Sequence, residues 1–219
     1  MTIRLSLIIA AIFLASCNAQ GIRAAKDRPE PPERAYYEYA IGYEAELSGD
    51  WEEALKHYAE ALKLDPESSY LKVQMSTVYL RMGRIGEAIN TVEDVIRKEP
   101  DYVHALKLLG QLYSSQKRLD DAIAMYERVL KIDPSQEEVY LFIGAAYISK
   151  QKYEDSVRIF ESLLKIKPDS VMALYYIGAV YMDTKDYDKA VEYFKKVIDF
   201  RPNFESAYFN LGVISEIKG

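Results

Sequence analysis

Residues 103–136 read VHALKLLGQLYSSQKRLDDAIAMYERVLKIDPSQ, and the landmarks of this stretch recur along the chain every 34 residues. Pro66, Pro100, Pro134, Pro168 and Pro202 are each 34 apart, and Gly42, Gly110, Gly144, Gly178 and Gly212 keep the same period with Ser76 in the remaining place. A fixed period of this length marks a stacked array, because one such unit cannot bury its apolar face alone. Within each unit, two positions held to the size of Ala or Ser, Gly110 and Ala122 in the quoted stretch, let two helices approach closely. The proline then follows the second helix, since it cannot continue the hydrogen-bond ladder and biases its predecessor away from helical geometry.

The pattern Leu109-Gly110 with Tyr113, Ile143-Gly144 with Tyr147 and Ile177-Gly178 with Tyr181 resembles the core of the tetratricopeptide repeat. Ala54, Ala88, Ala122, Ser156 and Ala190 supply the small residue of the second helix, and Tyr58, Tyr126, Phe160 and Phe194 the bulky one beside it. The first repeat departs with Ala45 in the Tyr place, the second with Ser76 and Val92. The resemblance implies an all-α fold, the alpha-alpha superhelix, a right-handed solenoid of helix-turn-helix units. Five full repeats are expected at 35–68, 69–102, 103–136, 137–170 and 171–204, with the first helix of an incomplete sixth at 205–219. Asp50 with Glu53 reads as a capping box opening a second helix, and Asp120 and Asp186 as caps of later ones. The last helix carries Tyr208, Phe209, Leu211, Val213, Ile214 and Ile217, where an array end wants a polar outer face. The chain is therefore expected to be a piece of a longer protein; the alternative is a natural end with the half-repeat as an imperfect cap.

Composition bounds the function classes. The 219 residues are 49% hydrophobic and 28% charged, which excludes wholesale disorder, and the net charge of −6 without a basic block argues against nucleic acid as a partner. The lone cysteine, Cys17, rules out an intramolecular disulfide. It follows Arg4 and an apolar run from Leu5 to Ala15, about half the ~20 residues needed to span a bilayer, so 1–16 reads as a signal peptide. Leu14-Ala15-Ser16-Cys17 resembles the lipobox of bacterial lipoproteins, which implies acylation of Cys17; cleavage after Ala19 is the other reading. Residues 17–34, with Pro29, Pro31 and Pro32, suit a flexible tether. Asn18 is not the Asp that retains some lipoproteins at the inner membrane, so the expected address is the outer membrane, with the array in the periplasm.

The resemblance also implies which side chains face a concave groove formed by the first helices. Counting repeat positions gives Tyr36, Tyr39, Tyr43 and Glu46; Tyr70, Val73, Thr77 and Leu80; His104, Lys107, Gln111 and Ser114; Glu138, Leu141, Ala145 and Ile148; Met172, Tyr175, Ala179 and Met182; and Ser206, Phe209 and Val213 in the half-repeat. Tyrosine suits such a surface because it offers large contact area at low entropic cost and keeps a hydroxyl. The expected occupant is a protein or peptide segment. Family members that clamp chaperone carboxylates use Lys and Asn there; this lining has one base, Lys107, and no Asn.

No catalytic, metal or cofactor site is expected. His57 and His104 have no second His or Cys at ligand spacing, and the pairs Glu52-Glu53, Asp120-Asp121 and Glu137-Glu138 fall at helix starts, where they favour the dipole. Gly83 and Gly86 read as a helix–helix turn without the strand a phosphate loop needs, and Trp51 as a packing residue. The sum is a non-catalytic, lipid-anchored interaction scaffold, similar in layout to pilotin-type lipoproteins of type IV pilus systems and to polysaccharide-export lipoproteins. The rival reading is the substrate-recruiting part of an enzyme whose catalytic domain follows residue 219.

Overall fold

The computed structural model describes residues 33–219, as eleven α-helices with no strand among them. The signal peptide, Cys17 and residues 18–32 of the tether lie outside the described residues. The helices are α1 (Glu33–Ser48), α2 (Trp51–Leu64), α3 (Ser69–Arg81), α4 (Ile85–Lys98), α5 (Val103–Ser115), α6 (Leu119–Ile132), α7 (Glu137–Ser149), α8 (Tyr153–Ile166), α9 (Val171–Asp183), α10 (Tyr187–Phe200) and α11 (Glu205–Lys218). α1 thus opens two residues inside the span read as tether. None of these helices is long and apolar enough to cross a membrane. The described residues form two compact units, one of α1 to α4 that ends at Glu99 and one of α5 to α11 that begins at Pro100.

Each hairpin turns in the same way. The residue two places after the first helix, or its equivalent, takes a left-handed backbone: Gly49 at φ +80° and Gly83 at +73°, then Lys117 at +60°, Gln151 at +55° and Lys185 at +63°. The following N–H reaches back to a carbonyl five residues earlier, Asp50 to Ala45 at 2.9 Å, Arg84 to Tyr79 at 2.9 Å, Arg118 to Tyr113 at 2.9 Å, Lys152 to Tyr147 at 2.9 Å and Asp186 to Tyr181 at 2.8 Å. This Schellman-type closure satisfies the carbonyls a helix end leaves orphaned. Glycine enters that geometry freely, whereas lysine and glutamine pay a steric penalty at their Cβ.

The second helix begins on the next residue. Asp50 accepts from the Glu53 N–H and Asp186 from the Lys189 N–H, so both act as caps. Asp120 does not. The equivalent place in that hairpin is Arg118, whose side chain makes no cap bond, and Asp120 sits a residue inside α6, where it pairs with Lys150. Gly86 likewise lies in the first turn of α4, not in the loop.

Packing inside the hairpins explains the small residues. A Cβ on Gly42 would lie 2.6 Å from Tyr58 Cδ1, on Gly110 2.7 Å from Tyr126 Cε1, and on Gly178 2.8 Å from Phe194 Cε1; on Gly144 it would fall onto the Phe160 ring. Each ring, fully or almost fully buried, occupies the volume its glycine leaves. In the second hairpin the pair is Ser76 and Val92, both fully buried, and the Ser76 hydroxyl donates to the Ala88 carbonyl at 3.1 Å. Ser156 in the fourth does the same to the Gly144 carbonyl, also at 3.1 Å. A larger residue on one helix is thus matched by a smaller one on the other, as dense interiors require.

Polar ties link helices within each unit. In the first, Lys72 pairs with Asp94 and Lys98 with Glu67, both at 2.8 Å. In the second, Glu137 receives Lys167 at 2.5 Å and the Ser170 hydroxyl at 2.6 Å, while Lys150 reaches Asp120 and Lys218 reaches Asp188. Among the described residues, every buried side-chain nitrogen and oxygen has a partner.

Candidate functional site

In the first unit, α1 carries four of the chain's 19 tyrosines, and three of them, Tyr36, Tyr39 and Tyr43, stand at i, i+3 and i+7 on one face. Tyr36 is 46% and Tyr43 44% exposed, too much for packing residues alone. Tyr39 is half-buried between them and Tyr70 of α3: its ring stacks on Tyr43 at 6.1 Å and on Tyr58 at 5.7 Å and meets Tyr70 edge-on at 5.5 Å. The Tyr39 and Tyr70 hydroxyls share a hydrogen bond of 2.7 Å, and the Tyr58 hydroxyl donates to Glu46 Oε2 at 2.7 Å. Burial, and after it these bonds, pushes the Tyr39 and Tyr58 hydroxyls far above the usual phenol range; burial also raises Tyr70. All three hydroxyls stay protonated at physiological pH. The result is a fixed tyrosine platform on two adjacent first helices, with one carboxylate at its edge. Val73, expected in the same lining, is buried, and Thr77 turns its hydroxyl onto the Val73 carbonyl at 3.1 Å.

The second unit distributes its expected lining residues differently. His104 lies exposed beside Tyr102, with ring centroids 5.7 Å apart, and partial desolvation, then the Lys107 charge, lowers its pKa. Lys107 pairs with Glu138 and lies 3.5 Å from the Gln136 side-chain oxygen; burial lowers its own pKa. Its charge is therefore already met by the next first helix. Gln111 is exposed, and Leu141 and Met172 are half-buried.

Tyr175 gathers a second aromatic group, Phe204 at 5.2 Å, Phe194 at 5.8 Å and Tyr176 at 5.9 Å, and its hydroxyl accepts from the Asn210 amide at 3.4 Å. An open cleft runs over it, lined by Tyr175, Glu205, Ser206, Phe209 and Asn210. Phe209 is 71% exposed at its rim. Sequence reasoning found Tyr175 and Phe209 but missed Phe204 and Asn210. Phe204 lies in the connection to α11, outside the first-helix positions that were counted, and nothing in its spacing marks it.

His57 holds α1 to α2, with its two ring nitrogens 2.8 Å from Glu38 and 3.1 Å from Glu53. No group of three or more His, Cys, Asp or Glu among the described residues could hold a metal ion. Trp51 packs against the Tyr58 core of the first unit.

The model of the Psidin N-terminal tetratricopeptide-repeat region matches residues 43–206. Solved structures share the fold. A crystal structure of MamA is 23% identical and superposes with a TM-score of 0.69, covering 80% of this chain and 95% of that one. A tetratricopeptide repeat protein from Parabacteroides merdae ATCC 43184 is 19% identical with a TM-score of 0.73, over 86% of this chain and 75% of that one. YrrB, described as a tetratricopeptide protein with an unusual peptide-binding site, is 20% identical with a TM-score of 0.64, over 87% and 96%.

Proposed function

The chain belongs to the tetratricopeptide-repeat family represented by that region, and from this premise we propose that it is a non-catalytic scaffold whose first-helix surfaces hold a segment of a partner protein. The observation that carries the reading is the α1–α3 platform, where Tyr36, Tyr43 and Tyr70 stay exposed around a Tyr39 fixed by stacking and a hydrogen bond. Exposed aromatic groups that are already held in place lose little entropy when a partner covers them. The Tyr175–Phe209 cleft is the corresponding surface of the second unit.

The test is binding of an immobilised peptide array by the full chain, compared with Tyr36→Ala/Tyr43→Ala and with Phe209→Ala. These residues are exposed, so helical content is expected to stay unchanged. Peptide capture that survives both sets of substitutions would move the site elsewhere.

The anchor is a separate part of the proposal. Acylation of Cys17 would tether the array to the outer membrane on the periplasmic side, a layout suited to assembling envelope machinery such as a pilus secretin or a polysaccharide exporter. What supports it is the apolar run ending in Leu14-Ala15-Ser16-Cys17. Metabolic labelling with a fatty acid should mark the native chain and not the Cys17→Ser form; equal labelling of the two would exclude this residue.

A further inference from the structure

We propose that the α1–α3 tyrosine platform recognises a positively charged side chain, an arginine or lysine, in the segment it binds. The inference rests on the binding-surface reading above and names the chemistry of the partner. Tyr39, Tyr43 and Tyr70 form one cluster with Glu46 at its edge, so π faces and a carboxylate converge on the same patch. A cation over a tyrosine face is attracted by the ring quadrupole, and a nearby carboxylate adds a charge-assisted hydrogen bond. Glu46 is bonded to the Tyr58 hydroxyl, and among the described residues no Lys, Arg or His forms an ion pair with it.

The chain uses the same ingredients internally, completed by its own cation. Arg84 lies 4.7 Å from the Tyr79 ring centre while pairing with Glu87, and Arg118 lies 4.1 Å from the Tyr113 ring centre while pairing with Asp121 at 2.7 Å. The Tyr43–Glu46 patch has the ring and the acid and lacks the cation. The pairing of ring and acid is also particular to this repeat: the places equivalent to Glu46 hold Leu80, Ser114, Ile148 and Met182, and where an acid returns, at Glu216, the place equivalent to Tyr43 is Val213.

Net charge points the same way. Residues 33–99 carry 14 Asp and Glu against 8 Lys and Arg, an excess of six acids, while residues 100–219 carry 18 against 16. The acidity of the described chain is thus concentrated in the unit that holds the platform, where it favours approach of a basic segment.

The experiment is selection of a phage-displayed random peptide library on the full chain, immobilised in detergent, in parallel with Glu46→Gln and Tyr36→Ala/Tyr43→Ala. Glutamine keeps an acceptor for the Tyr58 hydroxyl, so Glu46→Gln removes charge without opening the core, and circular dichroism checks each fold. The expected result is several-fold enrichment of Arg or Lys at one position among peptides that need the tyrosines, with that preference lost on Glu46→Gln and weakened by salt. Tyrosine-dependent binders with no cation preference, or a preference unchanged in Glu46→Gln, overturn this proposal and leave the binding-surface reading standing. Failure to recover any tyrosine-dependent binder overturns both.

Discussion

The Tyr39 and Tyr70 hydroxyls meet at 2.7 Å across two repeats, 31 residues apart in sequence, and so tie the first helices of consecutive hairpins at the candidate binding surface. Tyr39→Phe removes the bond and keeps the ring on Tyr58 and Tyr43. Its expected cost is about 1 kcal/mol, the usual net worth of one such bond. Tyr39→Ala, which also removes the stacking, is expected to cost about 3 kcal/mol or more. Urea unfolding of the two variants checks both, and equal losses would mean that the hydroxyl bond alone carries the contact and the stacking adds nothing.

Glycines that face a ring should not tolerate a methyl group. Gly144→Ala and Gly178→Ala are expected to lose about 1–3 kcal/mol, because the rings of Phe160 and Phe194 are fully buried and have little room to give. Gly212→Ala is the control. No atom lies within 4 Å of a Cβ built there, so helix propensity alone should make it neutral or stabilising by up to about 1 kcal/mol. In the double variant Gly144→Ser/Phe160→Val, which copies Ser76 and Val92, the losses should be less than additive. Additive losses in thermal unfolding would deny that the two positions compensate.

The left-handed turn residues offer the opposite sign. Lys117→Gly, Gln151→Gly and Lys185→Gly should each stabilise by about 1 kcal/mol, since a non-glycine residue is strained at positive φ by about that much or more. The gain is reduced by the extra freedom glycine has when unfolded. Gly83→Ala, where the added Cβ meets no atom within 4 Å, should lose a similar amount through backbone strain alone. Denaturant midpoints decide, and a stabilising Gly83→Ala would contradict the backbone assignment.

Glu137 gives a pH dependence of known direction. The Lys167 ammonium first, and then the Ser170 hydroxyl, hold its carboxyl below the ordinary value of 4.5. A folded-state pKa below the unfolded one means a contribution fully present above about pH 5 and lost as pH falls through the folded value. Glu137→Gln should therefore be less stable than the native chain at pH 7, by about 1 kcal/mol or less for a pair that solvent still reaches. The gap should close on acidification below pH 4.5, and a gap that widened in acid would reverse the sign argued here.

Fold class was legible because period and residue size speak to the same contact. Gly110, Ala122 and Tyr126 announce a close helix pair in sequence as clearly as in space, and Asp50 and Asp186 announce two helix starts. Arg118 was not legible as the start of α6, because a helix can begin without a side-chain cap when the preceding Schellman bonds fix the chain. Lys117, Gln151 and Lys185 were silent for a related reason: the turn is imposed by the helices it joins, so residue type ceases to report backbone shape. The candidate site was half legible. Counting positions found Tyr39 and Tyr70, but a count cannot say that Val73 is buried, that Lys107 is already paired with Glu138, or that Phe204 reaches in from a loop.

The matched pairs also bear on how such an array can change. A first helix carrying Ser76 accepts a valine opposite it, and one carrying Gly144 accepts a phenylalanine, so the two halves of different hairpins are not interchangeable. Genetic exchange between repeats that joins them near the prolines moves whole hairpins and keeps each pair intact. Exchange that joins them at the left-handed turn would set Ser76 against Phe160 or leave Gly144 facing Val92, a collision in one product and a void in the other. The inheritable unit of this chain is therefore the hairpin, although its period could be cut anywhere.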